Sequence, residues 1–264
     1  MNSVPVVGIE RNFNGIDFNK LEEIFAGGNI KCFYTNSRFH NPLGISLSKN
    51  DTKQIVELAD KYDVYIIEDD SFGDLALHDR SAPLYYEDMN SRVIYIKSFS
   101  KSVLPGLRVA AVVLPKILVN SFASHKKWAD LGTSVLSQGA LAIYIKCGMI
   151  KMHKKRIRNL YEQKMALLKE KVKAADIAHV CWHIPDSGFF ACCEILNHAD
   201  VGNFIRKLYK ENIIIHDIRE NYLDAYYNDK ILKLCMSRAT LHDVNDGIAV
   251  ILDEMAKFKD RTMK

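Results

Sequence analysis

Lys101 stands in a short run of polar and turn-forming residues, Ser98-Phe-Ser100-Lys101-Ser102, that continues through Leu104-Pro105-Gly106-Leu107 to Arg108. An amine can bond to an aldehyde or carry a proton, and hydroxyls beside a guanidinium make a seat for a phosphate. Pro105-Gly106 forces a turn between the apolar stretches on either side. Most lysines are solvated surface residues, so it is the neighbourhood and not the amine that singles out Lys101. A second cluster follows Val64-Tyr-Ile-Ile67, where the chain reads Glu68-Asp69-Asp70. Three carboxylates at the end of a buried strand are costly without partners. They suit a solvated strand end or helix cap, or a cation, although no wider set of spaced oxygen ligands accompanies them. A loop with a proline and a glycine, Asn36-Ser-Arg-Phe-His-Asn41-Pro42-Leu43-Gly44, precedes them, and Lys233 sits within the apolar run Ile231–Met236.

These groups need rigid elements to position them. Residues 93–96 and 109–114 are mostly β-branched and apolar and read as buried strands of a covered parallel sheet. Lys101 then falls in the connection off a strand end, where open α/β sheets hold ligands. Further strands are expected at 31–34 and 64–67. Helices are expected at 17–25, at 49–61 behind a Ser48/Asp51 capping box, at 116–125, at 135–149 and at 151–175. From Asp176 onward short strands at 179–182, 189–195, 212–215 and 232–236 mix with helices at 201–209 and after Thr240, the pattern of a small α+β domain. The expected fold is therefore α/β, a mostly parallel sheet with helices over 1–150, an interdomain helix over 151–175, and a small C-terminal α+β domain over 176–264.

The 264 residues are 48% hydrophobic and 26% charged, an ordinary globular composition. The net charge of +4 is densest between Lys151 and Arg158, which reads as a solvated helix face, and no nucleic-acid-binding module accompanies it. Six cysteines occur without a CxxC pair, so reduced thiols and a cytoplasmic location are expected. No apolar run approaches the length of a membrane span.

Ser98-Phe-Ser100-Lys101 followed by Leu104-Pro-Gly-Leu-Arg108 resembles the cofactor-lysine segment of the fold type I pyridoxal 5'-phosphate enzymes, the class I/II aminotransferases. It is most similar to the aminotransferase-like domains of MocR-type regulators in the GntR superfamily. The resemblance implies that Lys101 forms the internal aldimine, with Ser98, Ser100 and Arg108 around the phosphate. It implies Asp69 on the pyridine nitrogen and Asn41 on the 3'-oxygen. Ser71 stands near the position where the family usually has a tyrosine, and Lys233 stands where an arginine usually meets the substrate carboxylate. No metal is implied.

The family also has an upstream segment, before the point matching Val4, with a phosphate-binding glycine loop, a ring-stacking aromatic residue and sheet strands. In MocR-type proteins a winged-helix domain lies further upstream. The resemblance thus implies an aminotransferase large domain incomplete at its N-terminus, and a homo-oligomer. Three functions follow from it. The first is amino-group transfer between an amino acid and a 2-oxo acid. The second is binding of the cofactor and an amine effector within a regulator that contacts DNA through an absent upstream domain. The third is an inactive remnant.

Overall fold

A computed structural model describes residues 4–76, 82–197, 200–223, 226 and 228–257. The chain divides into two compact units, one taking in residues 1–17, 41–45 and 161–264, the other 18–40 and 46–160. Both units thus combine separated stretches of chain.

In the second unit, α1 (Phe18–Ala26) buries Leu21 and Phe25, and the chain then forms β3 (Cys32–Thr35), numbered after the two short strands of the other unit. Helix α2 (Lys49–Lys61) begins at the expected capping box: Ser48 accepts from the Asp51 amide while Asp51 accepts from the Ser48 amide. Ile55, Val56 and Ala59 recur on its inner side and are buried. Strands β4 (Tyr65–Asp69), β5 (Val93–Ser98) and β6 (Ala110–Val113) complete a four-stranded sheet in the order β3-β4-β5-β6. The first two pairings are parallel, with Tyr34 opposite Ile67 and Asp69 opposite Ile96.

Strand β6 departs from the sequence expectation. It pairs antiparallel with β5, Ser98 against Ala110, and every residue in it is exposed. The connection over 99–109 is shorter than a parallel crossover needs, so the chain turns back on itself as a hairpin. The apolar character of 110–113 is that of a strand made to be covered, and here it lies at the sheet edge. The following helices share this exposure. Helix α3 (Val119–Asp130) buries none of its residues and α4 (Val135–Lys146) only Leu141, while Trp128, Leu131, Val135 and Leu136 are all more than 80% exposed. Helix α4 ends earlier than its apolar composition suggests, because Gly148 adopts a left-handed φ of 71° and separates it from α5 (Met149–Ala175).

The first unit contains the small hairpin β1 (Arg11–Asn12) and β2 (Gly15–Ile16) and an antiparallel sheet in the order β7-β8-β10-β9. Its strands are β7 (Val180–His183), β8 (Phe190–Ile195), β9 (His216–Asp217) and β10 (Ile231–Cys235). Helices α6 (Val201–Lys210) and α7 (Leu241–Lys257) bury Phe204, Leu208, Ile248 and Met255. Thr240 and Asp243 cap α7 reciprocally, as their spacing predicts. The loop 41–45 belongs to this unit: Leu43 packs with Cys192, Ile218 and Ile231, and the Cys192 thiol donates to the Pro42 carbonyl. Gly44 sits at φ 74° with no room for a Cβ against the Phe190 carbonyl. The architecture is α/β with a mixed sheet and a smaller β-rich C-terminal part, as expected from the sequence.

Candidate functional site

The alternation of a strand decides the fate of the three carboxylates. Successive residues point to opposite faces, so Glu68 and Asp70 go inward together, both 0% exposed, while Asp69 faces the other way and stays half-buried. Each inward carboxylate has its own partners. Glu68 accepts from the Ser37 hydroxyl and from the amides of Leu84 and Tyr85 at 2.8 and 3.0 Å. Burial pushes its pKa up, against the pull of those hydrogen bonds. Asp70 is gripped by two nitrogens of Arg38 and receives the Tyr95 hydroxyl, whose own ionisation is pushed up by burial and by that carboxylate. Next to this pair, Asp74 lies between Lys97 and Lys154 at 3.0 and 2.7 Å. Burial alone would raise Asp74, but the two ammonium groups outweigh it and hold its pKa below the ordinary carboxylate value.

Asp69 is braced from both sides. Its Oδ1 accepts from the Ser71 amide at 3.1 Å and from the Ser71 hydroxyl, and its Oδ2 accepts from the Tyr34 hydroxyl at 2.9 Å. Its backbone carbonyl accepts from the Asn36 side chain. Burial, the hydrogen bond and the carboxylate charge push the Tyr34 phenol up to about 12.

Strand β5 runs parallel to β4 and carries the chain into the lysine turn. The Phe99 amide donates to the Val109 carbonyl and the Val103 amide to the Phe99 carbonyl, which closes the turn. Ser98 accepts from the Ser100 amide at 3.2 Å, and Arg108 donates to the Ser100 hydroxyl oxygen and to the Pro105 carbonyl, both at 3.4 Å. Arg108 is held at φ 54°, a left-handed conformation uncommon for a residue with a side chain. Lys101 is exposed and makes no hydrogen bond or ion pair among the described residues.

Of the residues singled out from sequence, Ser98, Ser100, Lys101 and Arg108 share one hairpin turn, and Asp69 and Ser71 lie at the end of the adjacent strand β4. Ser71 directs its hydroxyl proton to Asp69. Asn41 is exposed at the start of the 41–45 loop, and Lys233 lies on β10 with its Nζ 5.4 Å from the Phe190 ring centroid. Both belong to the first unit, the other four positions around the turn and Asp69 to the second. Tyr34, Arg38 and Tyr95 were not legible as site residues. The available signal for Tyr34 was the position of an aromatic residue near the end of the strand preceding β4. Among the described residues no group of three or more metal-ligating side chains is gathered, and no helix is long and apolar enough to cross a membrane.

An α/β unit with a mixed sheet, a lysine turn after one parallel strand and a braced aspartate at the end of the adjacent one, together with an antiparallel C-terminal sheet, is the arrangement of a large class of cofactor-dependent folds. Residues 2–251 match the class I and II aminotransferase family, and the chain belongs to it. The chain is 37% identical over 256 residues to the uncharacterized HTH-type transcriptional regulator YcxD of Bacillus subtilis, covering 96% of this chain and 58% of that protein. Its fold is similar to that of the kynurenine aminotransferase of Pyrococcus horikoshii, solved in complex with PMP, with a TM-score of 0.87 and 23% identity over 95% of this chain and 63% of that one. It is also similar to the α-aminoadipate aminotransferase LysN of Thermus thermophilus, solved with N-(5'-phosphopyridoxyl)-L-leucine, at a TM-score of 0.83 and 22% identity over 94% of this chain and 64% of that one. The chain thus spans less than two thirds of the length of each of these proteins.

Proposed function

We propose that this chain is the pyridoxal 5'-phosphate- and effector-binding part of a MocR-type regulator. The observation that carries the reading is the 37% identity to an HTH-type regulator across 96% of the chain, and this chain itself carries Lys101, Asp69 and Arg108. In this reading nucleic acid is contacted by a region outside the matched stretch.

The donor set fits the cofactor. Asp69 offers a carboxylate with its orientation fixed, Lys101 an exposed amine, and Arg108 with Ser98 and Ser100 a cation and hydroxyls in one turn. Asp69 would hold the protonated ring nitrogen, Arg108 and the serines the phosphate, and Asn41 the 3'-oxygen. Lys101 would supply the amine that meets the aldehyde and, when not bonded to it, would be the base that holds a proton beside an incoming amine. When bound, the cofactor supplies an electron sink next to that amine. Lys233 would face the carboxylate of an amino acid or related amine as a point charge, without the fork of an arginine.

Amino-group transfer to a 2-oxo acid is the second reading, and the likeness of the fold to solved aminotransferases favours it. We also infer a homo-oligomer in a reducing, cytoplasmic setting. The exposed edge strand β6 and the uncovered helix α3 support assembly, and the six unpaired cysteines support the compartment. A stable monomer at micromolar concentration by light scattering would overturn the assembly.

Adding pyridoxal phosphate to the purified chain and recording the visible spectrum before and after borohydride tests the reading. A reducible band that disappears in Lys101→Ala is expected, and identical spectra for the two proteins would remove the central assignment. Amines that shift the band without accumulating pyridoxamine phosphate favour the sensor. Stoichiometric conversion by an amino acid favours the enzyme.

A further inference from the structure

We propose that Tyr34 is a positioning residue for Asp69, fixing which direction of the carboxylate is left to meet a cationic heteroaromatic ring nitrogen. The role rests on the cofactor-binding reading above and concerns a residue that reading does not include.

The geometry begins with an acceptor count. A carboxylate has about four lone-pair positions. Ser71 occupies Oδ1 twice, through its amide and its hydroxyl, and Tyr34 occupies Oδ2 once. Among the described residues one acceptor direction remains, on Oδ2. The two braces approach from opposite sides in the chain: Ser71 is two residues beyond Asp69, whereas Tyr34 is 35 residues before it. Tyr34 is opposite Ile67 in the parallel register, and Ile67 and Asp69 project to the same face of β4. The phenol is therefore set by the sheet and not by a loop, and sites carried on regular elements are held more closely than sites on loops.

Packing does not account for Tyr34. Its residue is 58% exposed, so the ring contributes little to a core, yet its hydroxyl reaches the one carboxylate of the trio that faces away from the interior. A neutral phenol is suited to this post. It donates one hydrogen bond without neutralising the carboxylate, and burial together with Asp69 pushes its ionisation up to about 12. The charge of Asp69 is thus kept for the group that takes the last position. With Tyr34 removed, Oδ2 has two directions to offer and the carboxylate is held only through Oδ1.

The test compares Tyr34→Phe with the unaltered chain for two probes, pyridoxal phosphate and its analogue with CH in place of the ring nitrogen. A loss on the order of tenfold in affinity for pyridoxal phosphate is expected, the scale of one hydrogen bond to a charged group, with affinity for the carbon analogue unchanged. An equal loss for both probes, or no loss for either, would overturn the role while leaving Lys101-dependent binding in place. No binding of pyridoxal phosphate by the unaltered chain would instead overturn the cofactor reading and this role with it. A second measurement needs no cofactor: the phenol absorbance that distinguishes the chain from Tyr34→Phe should titrate above an ordinary tyrosine, raised by burial and by Asp69, and the part due to the carboxylate should be lost in Asp69→Asn while the part due to burial stays. A Tyr34 titration indifferent to Asp69→Asn would show that the contact does not exist in solution.

Discussion

Arg38 grips Asp70 through two of its nitrogens, and the grip sets the direction of the neighbouring Asp69. Asp70 is fully buried and its amide donates to Ile96 of β5 at 2.9 Å. With Asp70 anchored inward, strand alternation leaves Asp69 no choice of face. The Arg38–Asp70 pair therefore bears on the candidate site through the facing of Asp69.

Breaking this pair from one side is expected to be severe. Arg38→Met leaves the buried Asp70 with only the Tyr95 hydroxyl and the more distant Lys97 ammonium, 3.6 Å away, a loss of about 3 kcal/mol, read as a lower urea midpoint. Changing both partners, Arg38→Met with Asp70→Leu, should recover much of that loss because no unpaired charge remains. A double variant as unstable as the single one would show that the charge pair is not the source of the effect.

Gly73 gives a steric test of the same cluster. A Cβ there would fall inside contact distance of the Arg38 guanidinium and of Asp70 Oδ1. Neither can step aside without losing its partner. Gly73→Ala is expected to destabilise by about 1–3 kcal/mol, the range of overpacked interiors, in contrast to Gly139→Ala, whose Cβ meets nothing within 4 Å. Equal unfolding midpoints for the two variants would contradict the proposed crowding.

Asp74 predicts a pH dependence. Its pKa is below the ordinary 3.8 because Lys97 and Lys154 outweigh burial. A depressed carboxylate stabilises the fold above its unfolded pKa and loses that contribution as pH falls through the folded value. The stability difference between the unaltered chain and Asp74→Asn should therefore be full at neutral pH and shrink once the pH drops below about 3.8. Denaturant unfolding at a series of pH values measures it, and a difference that stays constant down to pH 2 would contradict the assignment.

Local signals explain which parts of the fold could be read in advance. The Ser48/Asp51 box and the spacing of Ile55 and Ala59 specify α2 without reference to the rest of the chain. The lysine turn is equally legible, because Ser98, Lys101, Pro105 and Arg108 are contiguous. Strand β6 was misjudged because composition reports what a strand is suited to pack against, and not whether anything covers it. The brace on Asp69 was hidden for a related reason: Tyr34 meets it only through the β3–β4 register, which no residue near either position reveals. The place of 41–45 in the first unit likewise depends on Leu43 packing with residues some 150 to 190 positions later.

In the proposed cofactor site, Arg108 would separate recognition of the phosphate from recognition of the ring. The residue is exposed at the close of the lysine turn, with Nη1 shared between the Ser100 hydroxyl and the Pro105 carbonyl at 3.4 Å, long enough for both contacts to yield to a stronger acceptor. A phosphate is such an acceptor, since charge-assisted bonds are shorter and about twice as strong as neutral ones. Arg108→Ala is thus expected to weaken pyridoxal phosphate binding by about 10- to 100-fold, equivalent to about 1.5–3 kcal/mol for a hydrogen bond to a charged group. Pyridoxal, which lacks the phosphate, should bind the variant and the unaltered chain alike. Arg108→Lys keeps the charge but loses the fork, so it should fall between the two. Titrations followed at the visible band measure all three, and a variant that loses pyridoxal as strongly as pyridoxal phosphate would show that Arg108 holds the turn and not the anion.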